Sequence, residues 1–270
     1  MTMPSPQIKL IDIELRNRTY QLEYFRRPGH KGTILFVHGL GGAKENFWEA
    51  TKTHLLADYE LIGFDNPGTG NSTYYADEPL RVDDLAFFLD AFIKQLDLKD
   101  IILTGASMGG LITLLYFQSA GVDHVKAYVN IEGNLMPEDC MFSSKVVQHS
   151  YEHFASTVFD ETIKNMKKYG NAGYYIIANN LELNTNVQSY YHYSFQTVSY
   201  SSTGKLLQQF LALEIPRLFL FGEKNQHLSY LPQLKGENLS CHMVADSDHF
   251  IFYDNPKGMY QSMANFLDEV

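Results

Sequence analysis

Ser107 lies at the centre of Gly105-Ala106-Ser107-Met108-Gly109, a G-x-S-x-G pentad. Before it runs the apolar Ile101-Ile102-Leu103, and after it an apolar stretch with Leu111, Leu114, Leu115 and Phe117. The first run has the character of a buried strand end and the second of a helix packed on a sheet, so the serine falls on a strand-to-helix turn. A turn that sharp needs residues without bulk two places either side, a need Gly105 and Gly109 meet. The chemistry this allows is nucleophilic acyl transfer. A free serine hydroxyl attacks poorly at neutral pH, so a neighbouring base must take its proton as it adds to a carbonyl. Three fixed positions recur by accident about 0.1 times in a chain this long, so the pentad needs company.

It has company. Thr33-Ile-Leu-Phe-Val-His-Gly-Leu-Gly-Gly42 reads as a buried strand ending in His38-Gly39 and a glycine-rich turn. Leu61-Ile-Gly-Phe-Asp-Asn-Pro-Gly-Thr-Gly-Asn-Ser72 is a second strand running into a tight glycine loop. Late in the chain, Asp246-Ser-Asp-His-Phe250 carries His249 just after the strand-like Cys241 to Ala245. In this order the four segments resemble the α/β-hydrolase superfamily in its HG-x, D-x-P-G-x-G-x-S, G-x-S-x-G form, and the resemblance covers nearly the whole chain. It implies an α/β fold, with a mostly parallel twisted sheet, antiparallel N-terminal strands, helices on both faces and an inserted helical lid. The fold alone does not choose the substrate, because it hosts many chemistries.

The resemblance also implies roles. His249 stands where family members carry the base, whereas His227 and His242 lack that position and are read as structural. The oxyanion needs two backbone donors. Met108 N–H, at a helix N-terminus, is expected to be one and Leu40 N–H, in the turn after the first buried strand, the other. Asp65 is assigned to pinning its own loop through hydrogen bonds from backbone amides.

The acid is where this chain departs from the pattern. Relatives commonly read G-x-x-D after the strand that here is Arg217 to Phe221, but the segment is Gly222-Glu223-Lys224-Asn225. Asparagine could orient an imidazole through its carbonyl but brings no charge. Glu132, in Val129-Asn-Ile-Glu-Gly-Asn134, ends the strand after the nucleophile helix and so emerges at the same sheet edge as Ser107. Glu132 is the expected acid, as in a subset of haloalkane dehalogenases, with Asn225, Glu223, Asp246 or Asp248 as alternatives. The serine nucleophile means that dehalogenase and epoxide-hydrolase chemistry is not implied.

Elements that must position these groups can be read from pattern. Ile8 to Leu15 and Thr19 to Arg26 alternate as a hairpin around Arg16-Asn17-Arg18. From residue 33, buried runs at 33–37, 60–64, 101–104, 125–131, 217–221 and 241–245 alternate with amphipathic stretches, as in a parallel sheet between helices. Leu80 to Leu96 reads as one such helix, with Leu85, Phe88, Leu89, Phe92, Ile93 and Leu96 at helical spacing. A last helix after Asn255-Pro256 carries Met259, Met263, Phe266, Leu267 and Val270. More than eighty residues separate the strands at 125–131 and 217–221, too many for a simple crossover, so residues 134–205 are expected to form a lid on a core of 1–133 and 206–270. Eleven aromatic residues from Tyr151 to Tyr200 crowd that stretch, either gluing helices down or lining a pocket for a largely apolar acyl substrate.

Length and composition fit one such catalytic unit: 270 residues, 45% hydrophobic. A net charge of −10 argues against nucleic-acid binding. No histidine pair has H-E-x-x-H spacing and no G-x-G-x-x-G follows a strand, so no metal and no nucleotide cofactor is expected. Two cysteines, Cys140 and Cys241, give no disulfide framework. Met1 to Pro6 lacks the features of a leader, and no apolar run approaches a membrane span, so a cytoplasmic location is expected. The Asn-x-Ser/Thr triplets at Asn17, Asn71 and Asn238 are then accidental.

The function these readings point to is a lid-bearing serine hydrolase of an ester, thioester or related acyl compound. Its turn His38-Gly-Leu-Gly-Gly42 lacks the proline usual in aminopeptidase relatives, which favours esters over amides. Two rivals share the scaffold: the same triad used for carbon–carbon cleavage or elimination, and a non-catalytic ligand-binding protein.

Overall fold

The computed structural model describes residues 4–236 and 239–270. Residues 1–3 of the N-terminal stretch and Asn238, which starts the third Asn-x-Ser triplet, lie outside them.

β1 (Gln7–Leu15) and β2 (Arg18–Arg27) form the expected antiparallel hairpin. Arg16 and Asn17 close it at φ 52° and 62°, a two-residue turn whose twist matches that of the strands. β3 (Thr33–Val37), β4 (Glu60–Phe64), β5 (Ile101–Ala106), β6 (Val125–Ile131), β7 (Arg217–Gly222) and β8 (Ser240–Val244) follow. The sheet order is β1-β2-β4-β3-β5-β6-β7-β8; β2 pairs antiparallel with β4, and every pairing from β4 to β8 is parallel.

Side chains alternate across a strand, so each central strand feeds two cores. Leu35, Val37, Ile62, Phe64, Leu103 and Phe219 join one; Ile34, Phe36, Leu61, Ile102, Val129 and Leu218 join the other. Over the first face pack α1 (Val82–Gln95), α2 (Met108–Ala120) and α8 (Lys205–Ala212). Leu85, Phe88, Leu89, Phe92 and Ile93 form the buried stripe of α1. Over the second packs α11 (Pro256–Leu267) through Met259, Met263, Phe266 and Leu267. Val270 lies beyond the end of that helix, so it does not belong to its stripe as the spacing had implied. β8 also differs from its buried reading. It is an edge strand, with His242 and Met243 exposed, because only β7 flanks it.

Between β6 and β7 the chain forms α3 (Ser143–Val146), α4 (Tyr151–His153), a π-helical turn (Phe154–Val158), α5 (Phe159–Tyr169), α6 (Ala172–Asn184) and α7 (Val187–Ser201) before α8. The α6–α7 corner is tied to the loop after β4. Gly70 N–H donates to Asn184 O (2.8 Å), Asn186 N–H to Gly68 O (2.9 Å) and Tyr193 OH to Pro67 O (3.0 Å). Asn180 Nδ2 reaches the turn after β3, donating to Gly41 O at 2.7 Å. Two short helices, α9 (Leu231–Gly236) and α10 (Ile251–Asp254), complete the core. Among the described residues no helix is long and apolar enough to cross a membrane.

Candidate active site

Ser107 stands between β5 and α2 with φ 52° and ψ −125°. A non-glycine residue there costs on the order of 1–3 kcal/mol, so the surroundings must enforce it. They do. A Cβ on Gly105 would stand 2.6 Å from Gly109 O, and one on Gly109 only 2.1 Å from Val37 O. Ser107 N–H is held by Ile131 O (3.1 Å), while its carbonyl accepts from Gly110 and Asn134 N–H (2.8 and 3.2 Å). The sharp turn is thus locked to β3 and β6, leaving the side chain at the rim of a cleft shared with Gly39, Leu40, Phe142 and His249.

The turn after β3 brings in the candidate oxyanion donors. Its internal bond runs from Gly42 N–H to Gly39 O (3.1 Å), which leaves Leu40 N–H outside the turn's own bonding. Met108 N–H belongs to the first turn of α2, where backbone donors have no partner within the helix. Gly39 lies directly against the Ser107 turn, since a Cβ there would meet Ser107 Cβ at 2.7 Å.

Two buried polar groups fix this turn. His38, 1% exposed, accepts Asn66 N–H at Nε2 (2.9 Å), so its Nδ1 carries the proton and donates to Gly39 O (2.8 Å). Burial, helped by the nearby Lys44 charge, lowers its pKa to about 4. His38 is therefore a neutral strut between the turn and the loop after β4. Lys44, buried, sends Nζ to Asp65 (2.8 Å), Glu23 (2.6 Å) and Glu45 (2.8 Å). Burial opposes its charge, but the three carboxylates outweigh it and hold the ammonium above its ordinary pKa. Asp65 also accepts backbone N–H from Lys44 (2.7 Å) and Asn71 (3.3 Å), so it pins both loops.

His38 carries a stability prediction. Unfolded, it takes up a proton near pH 6.5, and folded only near 4, so between those values the unfolded state binds more protons. Stability contributed above pH 6.5 is lost as pH falls toward 4: about 2 kcal/mol by pH 5 and on the order of 3 kcal/mol in full. Chemical denaturation at pH 7 and pH 5 checks this, with the loss expected to be smaller by that amount in His38→Gln. Equal losses in both proteins would show that the imidazole is not the cause.

Glu132 and His249 meet at the same edge. Glu132 follows β6, at φ 43° and 5% exposed, and His249 follows β8, at 6%. His249 Nδ1 lies 2.8 Å from Glu132 Oε2. A carboxylate only accepts, so Nδ1 bears the proton and Nε2 is left with its lone pair. Glu132 Oε1 also takes Gly222 N–H (2.7 Å), and Asn225 Nδ2 donates to both oxygens (2.9 and 2.8 Å). Asn225 therefore steadies the carboxylate and is not the neutral orienter of the imidazole considered from sequence. The other candidate acids are engaged elsewhere. Glu223 accepts Asp246 N–H (2.9 Å), Asp246 is exposed, and Asp248 accepts His249 N–H (2.8 Å) and Tyr174 OH (3.4 Å). His227 and His242 are both exposed.

Ser107 and His249 line one cleft, but among the described residues no hydrogen bond joins the Ser107 hydroxyl to the ring; such bonds are often long before substrate binds. Phe142 packs on His249 with ring centroids 5.9 Å apart and on Phe250 at 5.7 Å. No sequence signal marked Phe142, because the aromatic residues between β6 and β7 follow no single period. Lys44 was missed because a lysine ordinarily reads as surface. Among the described residues no three His, Cys, Asp or Glu side chains are grouped to hold a metal ion.

Known proteins share this arrangement of elements. The chain is 24% identical to the monoacylglycerol lipase ABHD6 of Bos taurus over 95% of its own length and 82% of that protein. A structure from a study of carboxylesterases of Nitrososphaera gargenis superposes with TM-score 0.78 at 15% identity, covering 96% of this chain and 98% of that one. The esterase EaEST of Exiguobacterium antarcticum superposes with TM-score 0.73 at 16% identity, covering 93% and 96%. The family model described as alpha/beta hydrolase fold matches residues 32–168, from the first parallel strand through the Ser107 turn and into the helices beyond β6. This match, over half of the chain, shows that the chain belongs to the α/β-hydrolase fold family.

Proposed function

We propose that this protein hydrolyses esters by a serine mechanism in which Ser107 is the nucleophile, His249 the base and Glu132 the acid that holds it. The observation that carries this is the 2.8 Å contact between His249 Nδ1 and the buried Glu132 carboxylate, on the ring that lines the Ser107 cleft. Relatives named lipase and esterase support the ester class.

In the first half-reaction Ser107 Oγ bonds to the ester carbonyl carbon while its proton passes to His249 Nε2. The carbonyl oxygen becomes an oxyanion, which Leu40 and Met108 N–H receive. Glu132 balances the imidazolium without taking its proton. Collapse breaks the bond to the alcohol oxygen, which leaves with the proton from Nε2. Water then adds to the acyl-enzyme, giving its proton to Nε2, and collapse frees the carboxylic acid and restores Ser107 OH.

Residues 134–205 are read as a lid on the core of 1–133 and 206–270, supported by the bonds from the α6–α7 corner to the loop after β4. Two unpaired thiols, Cys140 and Cys241, support a reducing, cytoplasmic setting. A panel of p-nitrophenyl esters run beside Ser107→Ala tests the central reading, which fails if the variant keeps wild-type rates.

A further inference from the structure

The cleft at Ser107 has a volume of only about 20 Å³, bounded by Leu40, Ala106, Ile131, Ile177 and Phe252. A second chamber of about 450 Å³ shares Phe142 with the cleft as a lining residue. That volume is in the range of small-molecule sites, whereas the cleft alone has about the space of one water molecule and so favours a short acyl group. The chamber walls are mainly apolar, with Val146, Val158, Met166, Tyr174 and Tyr190, and its mouth carries Lys145, Asn165 and Lys224. Tyr190 closes the side toward the turn after β3, its ring 3.0 Å from where a Gly41 Cβ would stand.

Which part of an ester belongs in the chamber follows from proton transfer. The base must hand its proton to the leaving alcohol oxygen, so the alcohol part lies on the histidine side. The chamber borders that side through two of its lining residues, while His249 itself lines the cleft. Phe142 packs on His249, and Asp248, whose carboxylate accepts His249 N–H, is part of the wall.

We propose that Phe142 is a specificity-determining partition. The cleft takes a short acyl group, and the chamber takes a large, mainly apolar alcohol that reaches it past the Phe142 ring. The substrate class is thus short-acyl esters of extended or aromatic alcohols, with a polar far end at the Lys145 and Lys224 mouth. This rests on the ester-hydrolase reading above.

The test measures acid release from ethyl acetate, hexyl acetate and ethyl hexanoate. Wild type is expected to prefer hexyl acetate over ethyl acetate in kcat/KM by about tenfold or more, and to disfavour ethyl hexanoate. Met166→Trp fills the chamber and should remove most of the hexyl acetate preference while leaving the hexanoate-to-acetate ratio unmoved. Thr162→Trp, on a half-buried part of the same wall, gives the same readout if the first variant does not fold. Phe142→Ala joins the two spaces and should raise the hexanoate-to-acetate ratio. The proposal is overturned if filling the chamber changes the acyl ratio in place of the alcohol ratio, or changes neither. Loss of Ser107-dependent hydrolysis of every ester in wild type would instead remove the hydrolase reading, and this proposal with it.

Discussion

Ser107→Ala is expected to lower kcat for a good ester substrate by about a millionfold, with KM changed far less. The serine contributes nothing to uniform binding and everything to the bond that forms. His249→Ala should cost nearly as much, and the double variant little more than either alone. In the proposed mechanism nucleophile and base act as one device, so removing the second part of a broken device has no further effect. Residual activity above the uncatalysed rate would come from the Leu40 and Met108 donors and from binding. Steady-state kinetics on the three variants check this. Penalties that simply multiply would mean that Ser107 and His249 act in separate steps.

The second large effect concerns the acid. Glu132→Gln keeps the shape but puts an amide beside Asn225 Nδ2 and His249 Nδ1, both of which need an acceptor. A fall of about ten-thousandfold in kcat is expected, the scale seen when a triad carboxylate becomes its amide. Asn225 stands at the position where family relatives commonly carry aspartate, and its amide lies within 3 Å of both Glu132 oxygens, at 2.9 and 2.8 Å. Asn225→Asp in the Glu132→Gln background should therefore return part of the activity, because a negative charge is again placed directly behind the side chain that accepts from the imidazole. In wild-type Glu132 the same substitution sets two buried carboxylates against each other and should be harmful. Measuring kcat for the single and double variants settles the matter; full activity in Glu132→Gln would mean that no charge is needed there.

Much of the scaffold could be read directly from residue pattern. β3, β4 and β6 coincide with the runs at 33–37, 60–64 and 125–131, because a strand buried on both faces reads as a near-continuous apolar run, broken here only by Thr33, Glu60, Lys126 and Asn130. The edge strand β8 was legible in position but not in burial, since a short apolar run does not reveal how many neighbours flank it. The glycines about Ser107 were legible because their requirement is steric and local. Glu132 and His249 each follow the carboxyl end of a strand, which chain order shows. What chain order hides is donor direction. Asn225 could equally have faced the imidazole or the carboxylate, and only the 2.9 and 2.8 Å contacts to Glu132 decide it. His38 was hidden for a similar reason, as nothing in His-Gly tells that Asn66 N–H occupies one ring nitrogen and Gly39 O the other. Phe142 lay among many aromatic residues of the same type, and its distinction is a matter of which two spaces it separates.

The most direct measurement of the central claim is the site and rate of labelling by a fluorophosphonate, read by intact mass and peptide mapping. One phosphonyl group on Ser107 is predicted, with the rate cut by about a hundredfold or more in His249→Ala. Labelling at a different residue, or an unchanged rate without the imidazole, would contradict an activated serine at this turn.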